Sequence, residues 1–310
     1  MKIIVNGSLA YDRIMDFPGY FAEHIIPEKI HSLNVSFQVD GVKENFGGTA
    51  GNIAYALTLM GEQPIISAAI GHDYRRYYQW LTQNRISTQN IKILETELTA
   101  SAYITTDRAN NQITAFHAGA MKHPTHLHFA QFEPQDTLVI VSPGNFEDMV
   151  NYPQQCKARS IDYIFDPGQS IPMLTAQGLI QAIDGCRILI CNDYEMDLIE
   201  KKTGKSLEAL LKLARTVIVT RGELGSIVHT TEAQQTVAAV KPRQVIDPTG
   251  AGDSYRGGLI SGLAKGLSIE RCAQMGSTCA SFCLESYGTQ DYHFSQEEFN
   301  TRLQGIKGES

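Results

Sequence analysis

The amino-acid sequence predicts a doubly wound α/β fold, a mostly parallel sheet flanked by helices, with a small β lid. Three observations carry that expectation. Short β-branched runs recur along the 310 residues, and helical patterns of apolar spacing separate them. Such alternation builds βαβ units that wind into a parallel sheet with helices on both faces. Two stretches, 12–46 and 100–118, break the rhythm with alternating, non-helical patterning, as a lid would. No internal repeat, low-complexity tract or linker divides the chain, so residues 1–310 are expected to form one domain.

In chain order, "KIIVN" ends at Gly7 and reads as the first buried strand. "YDRIMDFPGYF" and "NVSFQVDGVKENF" follow as shorter antiparallel strands and loops, inserted before the helix "GNIAYALTLMG". "PIISAAIG" is a second buried strand and "DYRRYYQWLTQNR" a second helix. "ASAYITTDRANNQITAFHAG" alternates as a hairpin does, with Asn110-Asn111 at its turn. "TLVIVSPG", "YIFDPG", "RILICN" and "TVIVTRG" continue the strands, with "YEMDLIEKKTG" and "LEALLKLA" as helices between or after them. Sheets of this kind place their sites at the strand carboxyl ends.

Composition narrows the function classes. A hydrophobic content of 43% with 19% charged residues suits a globular chain, and a net charge of −7 argues against broad binding to nucleic acid or anionic membranes. "MKIIVNGSLAYD" lacks the basic start and apolar core of a signal peptide, and no uncharged run reaches membrane-spanning length, so a cytoplasmic location is expected. Cys156, Cys186, Cys191, Cys272, Cys279 and Cys283 form no CxxC pair and read as reduced core thiols. His123, His126 and His128 in "HPTHLH" lack a partnered ligand set and read as a solvated loop.

The chemistry concentrates in "DPTGAGDSYRGG", residues 247–258, which runs into the apolar-periodic "LISGLAKG". A helix N-terminus offers unpaired N–H groups and partial positive charge, so Gly250, Ala251 and Gly252 could hold an anion beside Asp253. The competing reading makes Asp253 an N-cap. Two phosphate motifs fail: "TGKS" puts Ile199 where a Walker A loop needs glycine, and "GAGDSY" puts Tyr255 where a dinucleotide fingerprint needs its third. "FGGTAGN" supplies Gly47 and Gly48 as an entry to a helix with Asn52 one turn in, either a hinge or a turn for close packing. "CNDYE" places Asn192 and Glu195 on one face of a first helical turn, where they could hold hydrated Mg²⁺ or merely complement the helix dipole.

Together these features resemble the ribokinase-like, or PfkB, family of carbohydrate and nucleoside kinases, over nearly the whole chain. "GSLAYD" matches the family's early glycine and substrate aspartate, Gly7 and Asp12. "GGTAGNIAYALTLMG" and "DPTGAGDSYRGG" match its two signatures, Asn192 and Glu195 its NxxE motif, and "TRGELGS" its nucleotide-binding strand end. The resemblance implies transfer of the ATP γ-phosphoryl group to a primary hydroxyl, with Asp253 as base and Gly250, Ala251 and Gly252 as anion hole. It implies that Asn192 and Glu195 act through Mg²⁺ and its waters, that Asn192, Thr220, Gly222 and Gly225 meet the nucleotide, and that Asp12, Gly47, Gly48 and Asn52 meet the acceptor. Asp247 and Thr249 are compatible with a monovalent cation such as K⁺. Tyr255 departs from the commoner phenylalanine, and Arg256 is open between meeting phosphate and facing solvent. The expected partner is a nucleoside, adenosine first, or a sugar, with no nucleic acid or membrane; a homodimer is compatible with the sequence. Tyr11, Phe17, Tyr20, Phe21, Phe37 and Phe116 could stack on a purine or form the lid's own core. The rival class is a ligand-binding regulator of the same fold.

Overall fold

The structure is a computed structural model that describes residues 1–32, 34–109 and 111–305. Its strands are β1 (Lys2–Asn6), β2 (Ala10–Asp16), β3 (Val42–Gly47), β4 (Pro64–Gly71), β5 (Ile91–Leu94), β6 (Ala100–Thr106), β7 (Gln112–His117), β8 (Thr137–Val141), β9 (Asp162–Phe165), β10 (Ile188–Asn192), β11 (Thr216–Thr220), β12 (Ser226–His229) and β13 (Gln234–Val237). The helices are α1 (Phe21–His24), α2 (Thr49–Leu59), α3 (Arg75–Gln83), α4 (Phe146–Ala158), α5 (Ala176–Ile183), α6 (Asp193–Thr203), α7 (Leu207–Leu210), α8 (Ala251–Ala264), α9 (Ile269–Cys283) and α10 (Gln296–Gln304).

The main sheet has nine strands in the order β13-β12-β11-β10-β9-β8-β1-β4-β5. From β11 to β5 every neighbouring pair is parallel, and β12 and β13 add an antiparallel edge. All six expected buried runs became parallel strands of this sheet, because each is apolar enough to be covered on both faces. Alternation sets the two cores. Ile3 and Val5 join the layer that contains α2, α8 and α9, whereas Ile4 joins the layer that contains α4, α5 and α6. The chain leaves β1 for β4 and β5 on one side and returns to β8 on the other, so the winding reverses beside β1. A crevice opens at such a reversal.

The smaller sheet runs β3-β2-β6-β7. Its outer pairs are antiparallel, as expected, but β2 and β6 pair in parallel, from Ala10↔Ala100 to Asp16↔Thr106. That pairing joins the two expected lid stretches, whose mutual arrangement the sequence left unassigned. Parallel neighbours need a crossover, and α2, β4, α3 and β5 intervene between these two strands. The hairpin over 100–118 forms as β6 and β7, while Asn110 of its expected turn lies outside the described residues. Strand structure over "NVSFQVDGVKENF" is confined to β3, and "LEALLKLA" yields only the four-residue α7.

All six cysteines are buried free thiols. Among the described residues, no helix is long and apolar enough to cross a membrane, and no group of three or more His, Cys, Asp or Glu could hold a metal ion. His123 instead pairs with Glu97 at 3.1 Å.

Candidate active site

Four adjacent parallel strands deliver side chains to one edge. Pro143 follows β8, Asp166 follows β9, Asn192 ends β10 and Thr220 ends β11, and all four line a cleft of about 220 Å³. The opposite wall is the first turn of α8, through Gly250, Gly252, Asp253 and Arg256. Gly250 adopts φ 78°, and a Cβ there would stand 2.8 Å from Thr289 Cγ2, so glycine alone fits this turn. Gly250 is also the residue preceding the helix, which places Asp253 third within it. Asp253 is therefore not the N-cap.

Its carboxylate has another partner. Asn52 Nδ2 donates to Asp253 Oδ2 at 2.7 Å, and Asn52 Oδ1 accepts from Thr289 Oγ1 at 2.7 Å and Gln290 Nε2 at 2.9 Å. Gln290 is held in turn by Trp80 Nε1 at 2.8 Å and bonds Tyr77 Oη at 2.9 Å. A chain of buried polar groups thus runs from α3 to the carboxylate. Burial pushes the Asp253 carboxyl up to about 6, against the opposing pull of the Asn52 hydrogen bond and the Arg256 charge.

Asp12 approaches from the smaller sheet. A Cβ on Gly47 would stand 2.3 Å from Asp12 Oδ2, so the carboxylate lies directly over that glycine. Gly48 follows with φ 88° as the residue before α2. Burial, and next the charge of Asp247, push Asp12 up to about 6 as well. In register with Asp12 stand Asn45 on β3 and Ala102 on β6, and Ala102 pairs with Phe116 on β7. Directly opposed residues share a face, so Asn45, Asp12, Ala102 and Phe116 form one row across the sheet. Phe116 is 55% exposed. Four of the other candidate aromatics are spent on packing: Phe17, Phe21 and Phe37 pack against one another, and buried Tyr11 meets Phe46 and Tyr77, while Tyr20 is 42% exposed ahead of α1.

On α6, Asn192 and Glu195 form a reciprocal capping box, in which Asn192 Oδ1 accepts from Glu195 N at 2.7 Å and Glu195 Oε2 from Asn192 N at 2.8 Å. Burial raises the Glu195 carboxyl. Beyond Thr220 and Gly252, which line both spaces, opens a larger cavity of about 880 Å³. Gly222, Gly225, Val240, Tyr255 and Leu284 are among its walls. Asp247 Oδ1 accepts from Thr249 N at 2.9 Å and Oδ2 from Gly288 N at 3.0 Å, fastening the loop before α8.

The structure therefore gathers Asp253, Gly250, Gly252, Asn192, Glu195 and Thr220 around one cleft and sets Ala251, Gly222 and Gly225 in the adjoining cavity, while Asp12, Gly47, Gly48 and Asn52 line neither space and Asn52 reaches the cleft through its bond to Asp253. Tyr255 is explained by a hydrogen bond to Ser226 at 2.8 Å in the interior. Arg256 does not face solvent, because it is 6% exposed and paired with Asp166. Sequence reasoning missed Asp166, Thr289 and Gln290. The aspartate ending "YIFDPG" was the one signal, an acidic residue at a strand's carboxyl end; nothing marks the other two.

The pfkB family carbohydrate kinase pattern matches residues 9–295. A nucleoside kinase of Methanocaldococcus jannaschii is 31% identical over 291 residues, covering 93% of this chain and 92% of its own. A ribokinase of Haemophilus influenzae is 22% identical over 302 residues, covering 93% and 94%. Among solved structures, Burkholderia thailandensis nucleoside kinase in complex with inosine superposes with a TM-score of 0.87 at 35% identity, covering 98% of this chain and 97% of that one. The same protein in complex with ADP-inosine superposes with a TM-score of 0.84.

Proposed function

This chain belongs to the pfkB family of carbohydrate kinases, phosphotransferases with an alcohol acceptor, and we propose that it transfers the γ-phosphoryl group of ATP to a primary hydroxyl of a nucleoside. The observation that carries the reading is Asp253, held by Asn52 in the first turn of a helix on the wall of a two-part cavity, with the Asp12 carboxylate near enough to act on its charge. Asp253 takes the hydroxyl proton, the hydroxyl oxygen bonds to the γ-phosphorus, and the bond from that phosphorus to the β,γ-bridging oxygen breaks to release ADP. The N–H groups of Gly250, Ala251 and Gly252 stabilise charge on the moving group. Thr220, Gly222 and Gly225 border the nucleotide in the larger cavity.

Glu195 suits Mg²⁺ held through water. Its Oε1 is unclaimed by the capping box, it lines the cleft, and Asn192 Oδ1 is already engaged by a backbone N–H. Mg²⁺ bound there supplies positive charge to the phosphate oxygens. Asp247 and Thr249 are proposed for a monovalent cation on the resemblance; in this structure Asp247 fastens its loop, which such an ion would stiffen further.

For the acceptor, Asp12 can take both hydroxyls of a ribose, with Gly47 and Gly48 leaving room beside it, and Asn52 keeps one Nδ2 hydrogen to offer. Phe116, exposed on the same face as Asp12, supplies a ring for a base, which favours a nucleoside over a free sugar. The relative solved with inosine supports the same class. Residues 1–310 then act as one domain in which the smaller sheet is the lid. ADP release measured with adenosine, inosine, other nucleosides, ribose and fructose tests the assignment: adenosine or inosine should give the highest kcat/KM, and activity confined to free sugars would replace the nucleoside by a sugar.

A further inference from the structure

Arg256 stands one turn after Asp253 on α8, and its side chain is 8% exposed. Asp166, 2% exposed, takes its fork: Nε donates to Oδ2, and Nη2 to Oδ1 at 2.7 Å. Nη1 donates to Gly252 O at 2.9 Å. A guanidinium held on two edges has a fixed plane. The cleft wall carries the carboxylates of Asp166, Glu195 and Asp253, and Arg256 is the one cation among its described residues. Residues three apart on a helix are neighbours, so an unrestrained Arg256 would reach for Asp253. Yet no ion pair joins them among the described residues.

We propose that the Asp166–Arg256 pair is a positioning device for phosphoryl transfer: Asp166 holds the guanidinium off Asp253, leaving that carboxylate able to accept a proton while a fixed cation stands beside the phosphate path. The fold alone gives little reason for the pair. Buried ion pairs replaced by apolar residues of similar volume are often as stable or more so, whereas removing one partner is strongly destabilising. Asp253 is faced by Asn52 from α2, Tyr77 from α3, Asp12 from β2, Asp166 from the end of β9, Cys283 from α9 and Arg256 from its own helix. Of these, Arg256 is the cation. The inference rests on the proposed role of Asp253 as the base.

The test uses the whole enzyme with Asp166→Asn, Arg256→Met, the double variant Asp166→Leu/Arg256→Met, and Asp253→Asn as control. Turnover of Asp166→Asn and Arg256→Met should fall on the order of 10²-fold at saturating substrates, a scale typical of lost transition-state electrostatics, with each KM changed by less than about threefold. The acid limbs of their kcat–pH profiles should move in opposite directions. Freeing Arg256 to meet Asp253 moves the limb to lower pH, and deleting the cation moves it to higher pH. The double variant removes both buried charges, so its thermal midpoint should return to that of the unmodified enzyme while kcat stays low. Recovery of kcat in the double variant would make the pair structural only, and unmoved acid limbs in both single variants would overturn the proposal equally. If Asp253→Asn keeps its turnover, the assignment of the base itself fails; if it is inactive while the other variants turn over normally, only the pair's role falls.

Discussion

Asp253 and Asp12 are two carboxylates whose burial pushes each up to about 6, well above the ordinary aspartate value of about 3.9. The consequence for catalysis has a definite sign. A base must be ionised, so turnover should be lost as pH falls through about 6, where an unperturbed aspartate would hold it to near 4. If Asp12 must also be ionised to hold the acceptor, kcat/KM should fall with two protons below that point, and Asp12→Asn should leave a one-proton limb. Asp253→Asn keeps the shape and cannot take the proton, which should lower kcat by at least on the order of 10²-fold with nucleotide affinity retained. Stability follows the same linkage. A carboxyl raised on folding contributes stability that is complete below its unfolded value and is lost as pH rises through about 6. Asp253→Asn should therefore raise the thermal midpoint more at pH 8 than at pH 5, and an equal shift at both would contradict the buried-carboxylate account.

At the scale of elements, α6 and the β6–β7 hairpin separate chemistry from scaffolding. The capping box on α6 accepts glutamine as readily as glutamate, so Glu195→Gln keeps the helix start and removes only the charge. It should raise the Mg²⁺ concentration that half-saturates activity without lowering the thermal midpoint in the absence of metal, since it removes a carboxylate that burial disfavours; an unchanged Mg²⁺ requirement would leave Glu195 as a helix cap alone. The hairpin carries Phe116 in the row of Asp12, whereas Phe17, Phe21 and Phe37 on α1 and its flanks are consumed by packing against one another. Base stacking on an aromatic contributes about 1–3 kcal/mol, so Phe116→Ala should lower kcat/KM for adenosine by roughly ten- to a hundredfold. Activity towards ribose, which has no base, should be nearly unchanged. Equal losses for both acceptors would place Phe116 in lid packing instead.

For the molecule as a whole, Asn52, Asp253, Thr289 and Gln290 join α2, α8 and the segment after α9, and Thr289 also donates to Phe46 O on β3 of the smaller sheet. A ligand gripped between the sheets should stabilise the entire fold. At a free concentration 100 times its dissociation constant it contributes about 2.7 kcal/mol, which in a chain of 310 residues raises the thermal midpoint by roughly 3–5 °C. Adenosine should produce a shift of that size at concentrations where ribose produces much less. Equal potency of ribose, measured by calorimetry without turnover, would count against a nucleoside acceptor.

The succession of buried strands and the helix that opens at Gly250 were legible in the sequence, because strand burial and helix starts are local properties written in short runs of residue types. Asp253, Asn192 and Glu195 stood out as candidates at such helix starts, whereas Asp12 was singled out by the family resemblance alone. What stayed hidden depends on distant segments meeting. That Asn52 orients Asp253 across 201 positions, that Gln290 links it to α3, and that Asp166 seizes Arg256 across 90 positions are facts of packing, with no local pattern to announce them. The same holds for the parallel β2–β6 pair, which the long crossover imposes, and for the choice of aromatic ring. Six aromatic residues look alike in a sequence; the register of β6 and β7 puts Phe116 on the face of Asp12, while mutual packing closes off Phe17, Phe21 and Phe37.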